Sequence, residues 1–301
     1  MALPTNGYAV GAAPSCVRAV LGFRSPDPRP SSRREPLAAV RAIGVHEDVI
    51  VVESRVWRTT ATVVRSGAEA FVIDSPVFPD ELELLPALLE QARFRFSGLL
   101  ATHGDWDHLL GRLAFPGAAL GVAETTAARL RAHPGAAQRA LRDFDERHYV
   151  ARPAPLALGS VEALPVPGYC GLGERELELH PADGHTVDGM AIWIPWARIL
   201  VCGDYLSPAE IPTPEASIDG YLATLTRLEP LVEEAEHVVP GHGGPIAAPA
   251  ARTLLREDRD YLEALRQGRP AAAALPLGRR DAEQRRLHAA NVARLRRADA
   301  P

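Results

Sequence analysis

From His103 to His108 the chain reads His-Gly-Asp-Trp-Asp-His, so two imidazoles and two carboxylates crowd into six residues. The apolar run Leu99-Leu100-Ala101 leads into this stretch and Leu109-Leu110-Gly111 leads out of it. The first run predicts a buried strand and the second the start of a helix. The cluster therefore belongs on a tight strand-to-helix loop, where alternating side chains can converge on one point. Core packing has no use for four such side chains there. Metal ligation does, and other parts of the chain must then supply the remaining ligands.

Three later clusters have the same setting. Asp183-Gly184-His185-Thr186 follows Leu177-Glu178-Leu179, Gly203-Asp204 follows Ile199 to Cys202, and Gly241-His242 follows Val238-Val239-Pro240. Loops beyond strand ends are where a rigid scaffold aims functional groups. Taken singly, a Gly-His or Gly-Asp at a strand end is an ordinary turn. Four in succession, each led in by an apolar strand, point to one assembled site.

The strands themselves are legible. Asp48 to Glu53, Thr60 to Val64 and Ala70 to Asp74 are β-branched runs with Gly or polar breaks, predicting three antiparallel strands. Leucines at helical spacing (Leu82, Leu85, Leu88, Leu89) follow Pro79 and Asp80 and predict a helix. Residues 112–171 are rich in Ala, Arg and Pro and predict a helical insertion able to reach over a pocket. Strands resume at Arg175, Met190 and Ile199, and helices are expected over Ser217 to Glu229, Ala248 to Gln267 and Asp281 to Arg297. The arginines of that last helix read as a solvated face. The main domain is expected over 39–267, with a linker and helix over 268–301. Residues 1–38 carry prolines and unpaired charges at a density that predicts a largely disordered arm.

The order and spacing of these residues resemble the metallo-β-lactamase superfamily across about residues 42 to 265. The family's first motif is His-x-His-x-Asp-His, and this chain has His103-x-Asp105-x-Asp107-His108. Its later ligands match His185 in Gly-His-Thr, Asp204 in Gly-Asp and His242 in Pro-Gly-His, and Asp74 in Val-Ile-Asp-Ser-Pro matches the family's buried aspartate. The resemblance implies an αβ/βα sandwich of two mixed sheets with helices outside and a two-metal site at one edge. It assigns His103, Asp105 and His185 to the first metal and Asp107, His108 and His242 to the second. Asp204 would bridge them, Asp74 would orient a ligand loop, and Asp107 would double as the catalytic residue. Two divalent ions are implied, zinc first, with iron and manganese as alternatives.

Asp105 is the departure, since most members have histidine there. A carboxylate adds negative charge and hardness, which favours Mn²⁺ or Fe²⁺ relative to Zn²⁺, although zinc accepts carboxylates too. Cys202, two residues before Asp204, is expected in the core, and Trp106 is expected to pack into the sheet. His180 and Asp183 are candidates to support His185, and Tyr205, His148 and Tyr149 are candidates to meet substrate.

The implied activity is metal-dependent hydrolysis of a small ester, thioester or lactone. The alternatives are an iron-dependent oxidoreductase or dioxygenase on the same fold, a phosphodiesterase and a β-lactam hydrolase. A net charge of -5 gives no reason to expect nucleic acid or an anionic membrane as a partner. A small-molecule substrate is expected, with oligomeric state open. No secretory signal is read at the N-terminus. With the three cysteines scattered outside any Cys-x-x-Cys pair, a reducing cytoplasm is the expected location.

Overall fold

The structure, a computed structural model, describes residues 41–298. The expected N-terminal arm lies outside the described residues. The chain opens as an antiparallel meander of β1 (Arg41–His46), β2 (Val49–Glu53), β3 (Thr60–Ser66) and β4 (Glu69–Asp74). Helix α1 (Pro79–Ala92) then crosses over to β5 (Arg95–Leu100), which lies parallel to β4. A 3-10 turn at Trp106–His108 and α2 (Gly111–Ala114) lead to β6 (Leu120–Ala123). Helices α3 (Glu124–Ala132) and α4 (Ala136–His148) precede β7 (Val161–Leu164), which closes the seven-stranded first sheet in the order β1 to β7.

The second sheet begins with β8 (Gly168–Leu172), β9 (Arg175–Pro181), β10 (Met190–Ile194) and β11 (Ile199–Gly203), all antiparallel. Helix α5 (Ile218–Glu234) crosses to β12 (His237–Pro240), parallel to β11, and β13 (Ile246–Ala247) completes six strands. The chain ends in α6 (Ala248–Arg266), α7 (Ala271–Ala274) and α8 (Ala282–Ala298).

Strand alternation builds the layers. Val49 and Val51 of β2 face the second sheet, while Val52 turns to the α1 side. On β11, Ile199 and Val201 face inward and Leu200 and Cys202 face α5 and α6. Each sheet is thus apolar on both faces, one against its partner and one against helices, which gives the αβ/βα sandwich. A fully buried leucine or isoleucine in such a layer contributes about 1.5–3 kcal/mol, so the central layer holds the two sheets together.

Segment 112–171 is more than a helical insertion. It carries α3 and α4, but also β6 and β7 of the first sheet and most of β8 of the second. β6 is four residues long, buried throughout and parallel to both neighbours, so it lacks the alternation that marks a strand in sequence. No helix among the described residues is long and apolar enough to cross a membrane.

The C-terminal segment is built into the body. Arg279, 3% exposed, lies 2.7 Å from Asp258 and donates to the carbonyls of Ser207 and Glu210. From α8, Gln284 accepts the amide of Ile211, Asn291 donates to the carbonyl of Pro212, and Arg294 pairs with Glu215. Arg294 is therefore not part of a purely solvated face, while Arg285, Arg286, Arg296 and Arg297 are exposed. Together these contacts pin the loop 207–217.

Asn291 is 1% exposed and also donates to the Tyr261 hydroxyl. Asn291→Ala is expected to lower unfolding free energy by about 1–3 kcal/mol, since it strands buried acceptors. Urea unfolding of the two proteins side by side checks this, and an unchanged midpoint would count against the clamp.

Candidate metal centre

All the strand-end clusters lie at one edge of the sandwich, because β4, β5, β9, β11 and β12 end on the same side. Backbone bonds stitch the two sheets together there. Met190 N donates to Thr102 O at 2.7 Å, and Thr60 N donates to Gly241 O at 2.8 Å. Two glycines allow the loops to close in. A Cβ on Gly241 would collide with Asp204 Oδ1 and sit 2.9 Å from His108 Cε1. Gly184, at φ +132°, brings the His185 loop onto the first turn of α5, where a Cβ would strike the backbone of Tyr221.

Two groups of ligand-type atoms result: His103, His185 and Asp204 form one, and Asp107, His108 and His242 the other. In the first group, Asp204 Oδ2 lies 3.7 Å from His103 Nε2 and 3.2 Å from His185 Nε2. In the second, Asp107 Oδ2 lies 3.6 Å from both His108 Nε2 and His242 Nε2. Asp204 reaches this group as well, with Oδ1 at 3.3 Å from His108 Nε2 and Oδ2 at 3.4 Å from His242 Nε2. Asp105 Oδ2 faces the first group, 3.6 Å from His103 Nε2 and 3.7 Å from His185 Nε2. Ligands about 2.1 Å from a tetrahedral ion are about 3.4 Å apart from one another, so these separations are those of coordination edges.

The imidazoles are held by their far nitrogens. His103 Nδ1 lies 3.1 Å from Thr102 Oγ1, and His108 Nδ1 lies 3.1 Å from Asp74 Oδ2. His185 Nδ1 is 2.9 Å from the Thr213 carbonyl, and His242 Nδ1 is 3.2 Å from that of Trp57. Thr213 Oγ1, 2.9 Å from His185 Nδ1, and Thr59 Oγ1, 3.3 Å from His242 Nδ1, share these positions, so each Nδ1 is engaged on its outer side and Nε2 is left to face the site. The buried Nε2 atoms of His103, His108 and His185, and Oδ1 of Asp204, have no hydrogen-bond partner among the described residues. An unmatched buried polar atom costs about 1–3 kcal/mol. Four of them converging on one edge fit the donor set of a metal centre, with outer hydrogen bonds at His103, His185 and His242 and the Asp74 carboxylate in close contact with His108.

Asp74, at φ +59°, accepts from Thr102 N at 2.7 Å and Thr102 Oγ1 at 2.9 Å, tying the end of β4 to the ligand loop. Cys202 is fully buried, with its thiol pushed well up by burial. Other readings change. The Tyr205 hydroxyl is buried and accepts from His185 N at 2.9 Å, so it supports the ligand loop rather than facing substrate. Trp106 packs against Trp57 and Phe144 of α4, with centroids 5.8 and 4.9 Å away, at the margin of the core between the first sheet and its helices. His180 sits 3.5 Å from Glu178, and Asp183 pairs with Arg227. Neither supports His185. His148 stacks on Phe144, and Tyr149 is 96% exposed.

Several contributors went unread in the sequence. Thr213 and Trp57 act through backbone carbonyls, which no residue type announces. Arg129 and Asp188 carry an ion pair at 2.7 Å beside Asp105. Glu210 faces the same charges: burial, then Asp204 and Asp107, pushes its carboxyl up against the pull of His242.

A sandwich with this topology and two His/Asp groups at one edge defines a metal-binding fold. The chain belongs to the metallo-β-lactamase superfamily, whose sequence profile matches residues 54–269. No curated protein matches the chain. Among solved structures, DIM-1 metallo-β-lactamase is 19% identical with a TM-score of 0.53, covering 74% of this chain and 99% of its own. A metallo-β-lactamase family protein from Thermus thermophilus is 19% identical with a TM-score of 0.58, covering 85% and 96%. The sec-alkylsulfatase Pisa1 from Pseudomonas sp. is 15% identical with a TM-score of 0.62, over 85% of this chain and 50% of that one. These likenesses show the fold.

Electrostatics sets the behaviour of the metal-free site. Burial opposes protonation of His242, but Asp204, then Glu210 and Asp107, overcome it and raise the pKa from 6.5 to about 9. Burial likewise works against protonation of His108 and His185, whose facing carboxylates drive them well above the imidazole range. At pH 7 these rings carry protons that a metal ion must displace. Metal uptake should therefore release protons, and apparent affinity should climb as pH rises through about 9, where His242 gives up its proton. For the metal-free fold the sign is opposite. The raised His242 pKa contributes stability that is complete below about 6.5 and lost as pH rises through about 9. Calorimetric titration in two buffers of different ionisation enthalpy measures the proton release; identical heats would refute it.

Proposed function

We propose that the protein is a metal-dependent hydrolase with a dinuclear centre, acting on a small ester, thioester or lactone. The observation that carries this is Asp204, which stands within 3.7 Å of the Nε2 atoms of His103, His108, His185 and His242. One carboxylate common to both groups is the arrangement that two ions sharing a ligand require. His103, Asp105 and His185 would hold the first ion, and Asp107, His108 and His242 the second, with Asp204 between them.

Bound there, two divalent cations would supply a hydroxide near neutral pH and polarise the scissile oxygen. The chain's own work is to place the acceptors. Asp107 Oδ2 stands among the second group and is the group assigned to orient the nucleophile or take its proton. Asp74 keeps the ligand loop in register through Thr102. No side-chain nucleophile is invoked, and the buried, high-pKa thiol of Cys202 offers none. Zinc is the first-choice ion, with manganese and iron favoured by the carboxylate of Asp105. An oxidoreductase with a single iron would leave one of the two groups idle, which is why the hydrolase reading is preferred.

Metal-reconstituted protein is expected to hold about two ions per chain, to hydrolyse a carbonyl ester, thioester or lactone, and to lose that activity on chelation. Elemental analysis and a panel extended to phosphodiesters, sulfate esters and β-lactams would test this, beside an oxygen electrode. Oxygen consumption without hydrolysis, or folded protein that takes up no metal, would overturn the proposal.

A further inference from the structure

Arg129 lies in the last turns of α3, within the segment between the first ligand loop and the second sheet. Its guanidinium is a fork with both arms used. Nη2 donates to Asp105 Oδ1 at 2.7 Å, and Nη1 donates to Asp188 Oδ1 at 2.7 Å. The Asp188 side chain is fully buried, and its second oxygen accepts the amide of Gly104 at 2.9 Å. Arg129 thus joins the loop of His103 to the loop of His185 through their neighbours on either side.

The two oxygens of Asp105 have different surroundings. Oδ1 is taken by Arg129, while Oδ2 faces His103 Nε2 at 3.6 Å and His185 Nε2 at 3.7 Å. Asp105 has a short side chain that is 27% exposed, so without Arg129 it would be free to rotate into water or to offer both oxygens at once. We propose that Arg129 is a positioning residue that fixes Asp105 as a one-oxygen ligand of the first metal. The inference rests on the two-metal reading above.

The residue type suits the task. A planar guanidinium can bridge two carboxylates in fixed directions, whereas an ammonium is a single point charge. Arg129 also cancels half of the negative charge that Asp105 and Asp188 bring together. The charge that favours harder ions at this position is therefore reduced, while the hardness of the oxygen donor is unchanged.

The test compares wild type, Arg129→Gln, Arg129→Lys, Asp105→Ala and the double variant Asp105→Ala/Arg129→Gln. Metal affinities are read by chelator competition, Co²⁺ absorption reports the coordination of each ion, and thermal midpoints are taken without metal. Arg129→Gln is expected to weaken one of two ions about 10- to 100-fold, the range for losing an outer partner of a ligand, and to spare the other. In the Asp105→Ala background the same change should weaken the remaining binding no further. Arg129→Lys keeps a cation beside Asp188 and carries the test if the Gln variant does not fold; it too should weaken one ion, because it cannot hold both carboxylates. Wild-type affinity in the Lys variant, equal weakening of both ions, or an equal loss in the Asp105→Ala background would overturn the inference. Fewer than two ions in wild type would overturn the two-metal reading and this inference together. Two ions indifferent to Arg129 would overturn the inference alone.

Discussion

The attraction between Asp204 and the imidazoles around it is the interaction to which the rest of the structure is fitted. Its carboxylate is taken out of water at the rim of two packed sheets, where an uncompensated charge is costly. Burial pulls its pKa up, yet His242, His108, His103 and His185 together hold it well below the carboxylate range. The same field drives protons onto His108, His185 and His242. A site that recruits protons this strongly is one whose negative charge suits a cation. Strand direction, the glycines at 184 and 241, and the cross-sheet bonds at Thr60 and Met190 all serve to bring those rings to one carboxylate.

The ring positions are set from a distance. The imidazoles take their outer hydrogen bonds or nearest contacts from residues as separate as Trp57 on the β2–β3 connection, Asp74 at the end of β4 and Thr213 in the loop after β11. Thr213 is in turn held by the C-terminal helix, through Gln284 and Asn291 on either side of Pro212. A substitution in α8 can therefore reach His185 through two hydrogen bonds and a short run of backbone. This is how a segment that contributes no ligand still acts on the centre.

What the sequence disclosed follows from this division. Every ligand-type residue was legible, since each sits a few residues past an apolar strand and local order is enough to find it. Asp105 was legible as a departure from the family, and its oxygen does face the first group. The residues that hold the ligands were not, because their pairings join positions far apart in the chain. Arg129 meets Asp188 across 59 residues and Asn291 meets Pro212 across 79. Among strands, apolar runs such as β10 and β11 were read, while β6, β7 and β8 were not: four residues buried on both faces give β6 no period, and β7 and β8 are short and poor in β-branched residues. The aromatic partners of Trp106, Trp57 and Phe144, were not legible, because they come from two elements that only the folded chain brings together.

Metal loading would therefore stabilise the fold. The orphaned Nε2 atoms and the crowded carboxylates are costs borne by the metal-free fold, offset in part by protons at neutral pH. A ligand that binds only the folded state stabilises it by RT ln(1 + [L]/Kd), about 4 kcal/mol at a thousandfold excess over Kd. That is comparable to a few unmatched polar atoms at about 1–3 kcal/mol each. The sheets must therefore supply enough apolar burial to hold the site open before any cation arrives, and the all-buried strands β10 and β11 behind it do so. In the proposed hydrolase, ligand loops this short, anchored to strands this rigid, would leave substrate selection to what surrounds the centre. The aromatic group of Trp57, Trp106 and Phe144 and the Arg129 ion pairs are the side-chain clusters beside the ligand loops from which such selection would come.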